Sequence, residues 1–136
     1  MSKHILLIQG HSDAGQLHLC HALEDAYAQG ATAAGHMIKL INVATLDLPI
    51  LRSRHEWEQG NLPHSLKEAQ QDIKWADHLL LFFPLLLGDM PAMLKGFLEQ
   101  VVQPSLHSRA RARIHWLRRR SPGDWHASSS PWVCLH

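Results

Sequence analysis

The chain alternates between short, wholly apolar runs and longer stretches in which apolar residues recur every three or four positions. Ile5 to Ile8 is apolar without interruption and ends at Gln9-Gly10, the pattern of a strand buried on both faces in a parallel sheet. After a polar turn, Leu19, Leu23, Ala26 and Tyr27 recur at helical spacing. They predict a first helix running to about Gln29-Gly30 or slightly beyond. His36 to Val43 reads as a second strand, Leu46 to Leu51 as an extended loop around Pro49, and Arg52 to Gly60 as a polar excursion. Leu62-Pro63 opens a second helix with Leu66, Ala69, Ile73 and Ala76 on one face. His78 to Phe83 is a third apolar strand. Asp89 is placed to cap a third helix, with Pro91 in its first turn and Leu94, Phe97, Leu98 and Val101 facing inward.

Strand and helix thus alternate three times without an internal repeat. That order implies right-handed crossovers and a doubly wound α/β fold, with a parallel sheet and helices on both faces. Ligands in such sheets bind beyond the carboxyl ends of the strands. Here those ends are the loops Gly10–Gln16, Asn42–Asp47 and Pro84–Met90.

Composition narrows the class. The 136 residues fit one domain, with 46% apolar and 18% charged positions, ordinary values for a globular chain. The longest apolar run, Leu79 to Leu87, is broken by Pro84 and too short to span a bilayer. Met1-Ser2-Lys3-His4 leads into the first strand without a signal-peptide pattern. Two cysteines, Cys20 and Cys134, make no disulfide framework, so a reducing cytoplasm is expected. The net charge of +1 conceals a division: residues 1–104 carry a balance of −4, and residues 105–136 carry +5 together with Trp116, Trp125 and Trp132. The expected organisation is therefore an α/β domain over 1–104 and an irregular Arg/Trp-rich tail over 105–136.

Two loops carry candidate chemistry. Gln9-Gly10-His11-Ser12-Asp13-Ala14-Gly15 feeds a helix N-terminus, where free N–H groups and the helix dipole suit phosphate. His11 and Ser12 add side-chain donors. The loop is neither a Walker A sequence nor GxGxxG, and a plain glycine-containing turn is the alternative. The second loop, Phe83 to Pro91, is apolar where loops are usually polar. A flat aromatic cofactor lying on it accounts for that, with backbone amides at the ring's polar edge and leucines over its face. Continuation of the buried strand is the alternative, opposed by Pro84, Gly88 and Pro91. No metal site is expected from the twelve histidines: His18 and His21 can share a helix face, Cys20 points elsewhere, and no CxxC or HExxH spacing occurs. No nucleophile arrangement and no catalytic acid or base can be assigned. Arg109, Arg111, Arg113 and Arg118 to Arg120 with interleaved tryptophans offer a nucleic-acid contact, a reading disfavoured beside a segment without evolved structure.

Taken together, these residues resemble the NAD(P)H:quinone oxidoreductase family, which has a flavodoxin-like fold. The resemblance rests on Gly10-His11, His21-Ala22-Leu23, Trp75-Ala76-Asp77, and Pro84-Leu85 followed by Gly88-Asp89-Met90-Pro91-Ala92-Met93-Leu94-Lys95-Gly96-Phe97, and it covers about residues 3–104. It implies a bound FAD or FMN, NAD(P)H as co-substrate, a small quinone-like acceptor, and a homodimer. It further implies that His11, His18, Leu19 and Cys20 hold the phosphate end of the flavin. Pro84, Leu85, Leu86, Leu87 and Gly88 would line the isoalloxazine.

The sequence departs from that family in places. Ser12 stands where proline is common, and Leu86 and Leu87 where an aromatic is common. Beyond the third helix, the Phe-Ala-Phe lead-in, a fourth strand ending in Thr-x-Gly, and the Tyr and His of the nicotinamide side are not visible. Translation of the tail out of frame would account for this. Read in a shifted frame, Ser105 to Ser108 can give Phe-Ala-Phe. His126 to His136 can give Cys-Val-Val-Val-Thr-Met-Gly-Met-Pro-Ala, with the glycine forced by Trp132-Val133. The alternatives to an active oxidoreductase are an inactive truncated fragment and a non-catalytic binding module with a basic tail.

Overall fold

The computed structural model describes residues 1–59, 61–102 and 134–135. Four parallel strands form one open sheet in the order β2-β1-β3-β4: β1 His4–Gln9, β2 Met37–Asn42, β3 His78–Phe82 and β4 Cys134–Leu135. Among the described residues, four α-helices accompany them: α1 Leu19–Ala33, α2 Arg54–Gln59, α3 His64–Trp75 and α4 Ala92–Val101.

The apolar runs sort by parity, as side chains on a strand must. Ile5 and Leu7 of β1 join Leu80 and Phe82 of β3 on one face, covered by Cys20, Leu23, Tyr27, Ala28 and Ala31 of α1. Leu6 and Ile8 point the other way, into a core with Ile41, Val43, Leu66, Ala69, Leu94, Phe97 and Val101. Helices therefore lie on both faces, α1 on one and α3 with α4 on the other. The doubly wound parallel α/β sheet read from the pattern is the fold observed.

Boundaries moved where local chemistry overrode periodicity. The second strand stops at Asn42, whose Oδ1 accepts from the Ala44 N–H at 3.1 Å and turns Val43–Thr45 into one 3-10 turn. The first helix runs through Gly30 to Ala33. It ends at Gly35, whose φ of 81° no helix continues and whose N–H bonds to Thr32 at 2.9 Å. The inward face of α1 is also rotated from expectation: Leu19 is exposed, Ala26 is exposed, and Glu24 is buried. Part of the polar excursion is helical, as α2, and the Trp57 indole N–H donates to the Glu99 carbonyl at 2.9 Å. Asp89 does not cap α4; its Oδ1 accepts from the adjacent Met90 N–H at 2.7 Å, and Pro91 is the N-cap.

The paired residues Cys134–Leu135 form β4 against Leu81 and Phe82 of β3. The remainder of the expected Arg/Trp tail, with its arginines and tryptophans, lies outside the described residues. Among the described residues, no helix is long and apolar enough to cross a membrane.

Candidate functional site

β1 and β3 are neighbours, with Gln9 opposite Phe82, so the two loops singled out in the sequence leave the sheet side by side. The Gly10 N–H donates to the Phe82 carbonyl at 2.8 Å and extends the pairing one residue into the first loop. Gly10 is buried against α4: a Cβ there would come within 2.6 Å of Leu94 Cδ2.

The first loop folds around its own side chains. The Asp13 N–H donates to His11 Nδ1 at 3.0 Å, the Gly15 N–H to Asp13 Oδ1 at 2.8 Å, and His18 Nε2 meets Asp13 Oδ2 at 3.2 Å. His18 is the N-cap of α1, and its N–H donates to His21 Nδ1 at 3.2 Å. The imidazoles of His11 and His18 stack at 3.9 Å, and His21 lies 5.5 Å from His11. An Nδ1 that accepts a backbone N–H cannot itself carry a proton. The neutral rings of His11 and His21 therefore carry theirs on Nε2, as donors.

Electrostatics follow from this crowding. Burial holds His11 below the usual histidine value, and the neighbouring His18 and His21 add to the effect. The Gly15 N–H and then His18 lower Asp13. Three imidazoles stand beside the positive end of α1, and the Asp13 carboxylate meets one of them, His18.

The second loop is a tight turn. The Leu86 N–H bonds to the Asp89 carbonyl at 2.8 Å and the Asp89 N–H to the Leu86 carbonyl at 3.1 Å. Leu87 has φ 53° and Gly88 φ 80°, the two left-handed residues of a type I′ turn. A left-handed leucine costs about 1–2 kcal/mol, and this one is fully exposed. The N–H groups of Leu87 and Gly88 have no partner among the described residues.

Not every residue named from the sequence joins these features. His11 and His18 come together, Leu85, Leu86, Leu87 and Gly88 form the exposed turn, and Pro84 is half-buried at its base. Leu19 points to solvent, and the Cys20 side chain packs into the core beneath α1, where burial raises its thiol pKa. Their backbone N–H groups lie in the first turn of α1, where a helix leaves N–H groups without an intrahelical partner. Among the described residues, no cluster of His, Cys, Asp or Glu is arranged to hold a metal.

Sequence reasoning passed over Gln9 and Glu24. Gln9 Nε2 donates to Glu24 Oε2, and Gln9 Oε1 accepts from the His11 N–H at 3.2 Å. A signal was there: Glu24 stands four residues after Cys20 and three before Tyr27, in line with the face that α1 buries. Exposed apolar residues also concentrate at this end of the sheet. Leu17, Leu19, Ile50, Leu85, Leu86 and Leu87 all follow strand carboxyl ends.

Comparison with known proteins places these features. Residues 3–115 match the flavodoxin-like fold family. Among solved structures, the chain is similar to an NAD(P)H:quinone oxidoreductase from Methanothermobacter marburgensis, at 25% identity and TM-score 0.64, over 76% of this chain and 55% of that one. It shares the fold of the flavoenzyme NAD(P)H:(acceptor) oxidoreductase FerB from Paracoccus denitrificans, at 19% identity and TM-score 0.60, over 75% and 52% of the two chains. The fold is also that of an FMN-dependent NADH-azoreductase from Bacillus anthracis solved with FMN, at 15% identity and TM-score 0.54, over 74% and 55%. The chain thus spans about half the length of the solved structures it matches. No curated protein matches its sequence.

Proposed function

The chain belongs to the flavodoxin-like fold family, and from that premise we propose that it is a flavin-dependent oxidoreductase of the NAD(P)H:quinone type. The observation that carries the proposal is the adjacency of two unlike loops on neighbouring strands. One gathers imidazole donors at a helix N-terminus; the other exposes leucines around two unpartnered N–H groups. A phosphate-bearing planar cofactor, FMN or FAD, matches both at once.

In this reading the phosphate end meets the Nε2–H donors of His11 and His21, the ring of His18, and the free N–H groups of Leu19 and Cys20. The isoalloxazine lies along Pro84, Leu85, Leu86, Leu87 and Gly88. The Leu87 and Gly88 amides donate to its polar edge, and the leucines keep water from its face. A bound flavin supplies the chemistry of accepting hydride from NAD(P)H and returning it to an acceptor. The chain's own part is to bind, orient and shield that cofactor, and none of its described residues is assigned as a catalytic acid or base. The acceptor is a small quinone-like molecule, the working assembly a homodimer, and the compartment the cytoplasm.

A second reading, flavin binding without turnover, draws on the length of the chain beside its solved relatives. Purified full-length chain separates the two. A flavin absorbance spectrum with oxidation of NADH or NADPH by a quinone supports the enzyme. A flavin spectrum with no pyridine-nucleotide oxidation supports binding alone, and a colourless protein that takes up neither FMN nor FAD defeats both.

A further inference from the structure

Glu24 is a carboxylate that neither loop displays, 6% exposed on the inner side of α1. Its hydrogen-bond partner is the Gln9 amide, 1% exposed at the carboxyl end of β1. A glutamine side chain offers donors at one end and an acceptor at the other, and its partners decide which way it points. An ionised carboxylate can only accept, so it takes the Nε2 end. Oε1 is then left facing the His11 N–H at 3.2 Å. From His11 the bonds continue to Asp13, then to Gly15 and to His18 at the N-cap of α1. One unbroken series therefore joins a buried carboxylate to His11, Asp13, Gly15 and His18.

We infer that Glu24 is a positioning residue that latches this loop. As a carboxylate it orients the Gln9 amide and thereby holds Gly10–Gln16, with His11 gathered against His18 and His21; on taking up a proton it loosens that hold. A protonated Glu24 still accepts from Gln9 Nε2, but the bond loses its charge assistance and weakens, so the Gln9 amide and the His11 N–H bonded to it are held less firmly.

The surroundings of Glu24 favour uptake of a proton above the ordinary glutamate value. Burial pushes its carboxyl up, the Gln9 bond opposes that, Asp25 adds to it, and His21 offsets part of it. Those two charged neighbours are on its own helix. From β1, β2 and β3, the residues packed against α1 are the uncharged Gln9 and the apolar Ile5, Leu7, Ile38, Leu80 and Phe82; α1 itself adds the Cys20 thiol and the Tyr27 hydroxyl to that layer. The consequence for cofactor binding rests on the phosphate-site reading above, whereas the latch does not.

Nuclear magnetic resonance of the full chain tests it. In the wild type, the His11 and Gly15 amide resonances should move in step with the Glu24 carboxyl carbon, at a midpoint above the ordinary glutamate value of 4.5. In Glu24→Gln that step should vanish and the His11 amide should stay at its acid-end position at every pH. Glu24→Asp, which keeps an ionisable group, should restore a step. FMN affinity at neutral pH should fall roughly tenfold in Glu24→Gln, the worth of one oriented hydrogen bond. A wild-type His11 amide that ignores the Glu24 carboxyl overturns the latch, and so does a Glu24→Gln loop identical to the neutral wild type. If Glu24→Gln does not fold, the wild-type titration decides alone. A loop that titrates as described in a protein that never binds FMN leaves the latch standing and overturns the phosphate site instead.

Discussion

Gly10 and Leu94 meet where the sheet and α4 close over the site: no side chain fits between the loop backbone and the leucine, and an added Cβ would lie 2.6 Å from Cδ2 and 3.1 Å from Cγ. The glycine that begins the first loop is thus fixed by a helix more than eighty residues later in the chain.

Gly10→Ala should therefore destabilise the fold by about 1–3 kcal/mol, the usual cost of overpacking. Leu94→Ala leaves a cavity and costs about 2–5 kcal/mol alone. The double variant should be more stable than the sum of the single costs, because the clash disappears with the leucine. Urea midpoints of the four proteins measure the coupling; strict additivity would remove the steric explanation.

Leu87 offers the opposite trade. Asparagine tolerates the left-handed conformation far better than leucine, and Asn-Gly is a favoured type I′ pair. Leu87→Asn should raise stability by about 1 kcal/mol and weaken FMN binding through loss of the leucine face. A thermal melt and a flavin titration read the two effects. If the substitution lowers the melting temperature, strain at this turn is not what the backbone angle indicates.

The loops differ in how openly the sequence announced them. The parity of Ile5 to Ile8 and the spacing of Leu66, Ala69, Leu94 and Phe97 carry the layers of the fold, because burial on a strand or helix has a fixed period. The exposed leucines stood out because apolar residues in a loop need a reason. The histidine stack did not stand out: His11, His18 and His21 were visible separately, but their gathering depends on Nδ1 bonds to backbone amides that have no period. Glu24 and Gln9 were hidden for a similar reason. A buried polar pair is specified by two residues fifteen apart, and its one trace in the sequence is the place of Glu24 in line with Cys20 and Tyr27.

Proton uptake at His11 should show in both stability and binding. Its folded pKa lies below the ordinary 6.5, so the folded state holds fewer protons than the unfolded chain in that window. Its contribution to stability is full above about pH 6.5 and is lost as pH falls through the folded value. FMN affinity should move the other way and rise as pH falls from 7 toward 6, because a phosphate favours the charged ring. Calorimetric titrations in that range check the sign. Substitution of His11 by Gln should flatten both curves, and an unchanged pH dependence in that variant would assign the effect elsewhere.

The coding sequence of the tail makes its own prediction. A single-base shift near codons 103–105 should turn the Arg/Trp-rich segment into a Phe-Ala-Phe lead-in and a strand ending in Thr-x-Gly. Sequencing the gene decides it. A reading frame that yields neither motif under any single-base shift removes the idea.

The central position of β1 has a kinetic consequence. Its neighbours arrive late: the contacts that flank it join residues 33 apart on the β2 side and 73 apart on the β3 side. Each requires a long loop to close before any sheet bond compensates, and the larger closure is the one that brings Phe82 beside Gln9 and sets the two loops together. During synthesis, β1 and α1 emerge long before β3. The chain therefore spends its early life with one apolar edge unmatched, and the end of the molecule that carries the two loops is among the last parts to take shape.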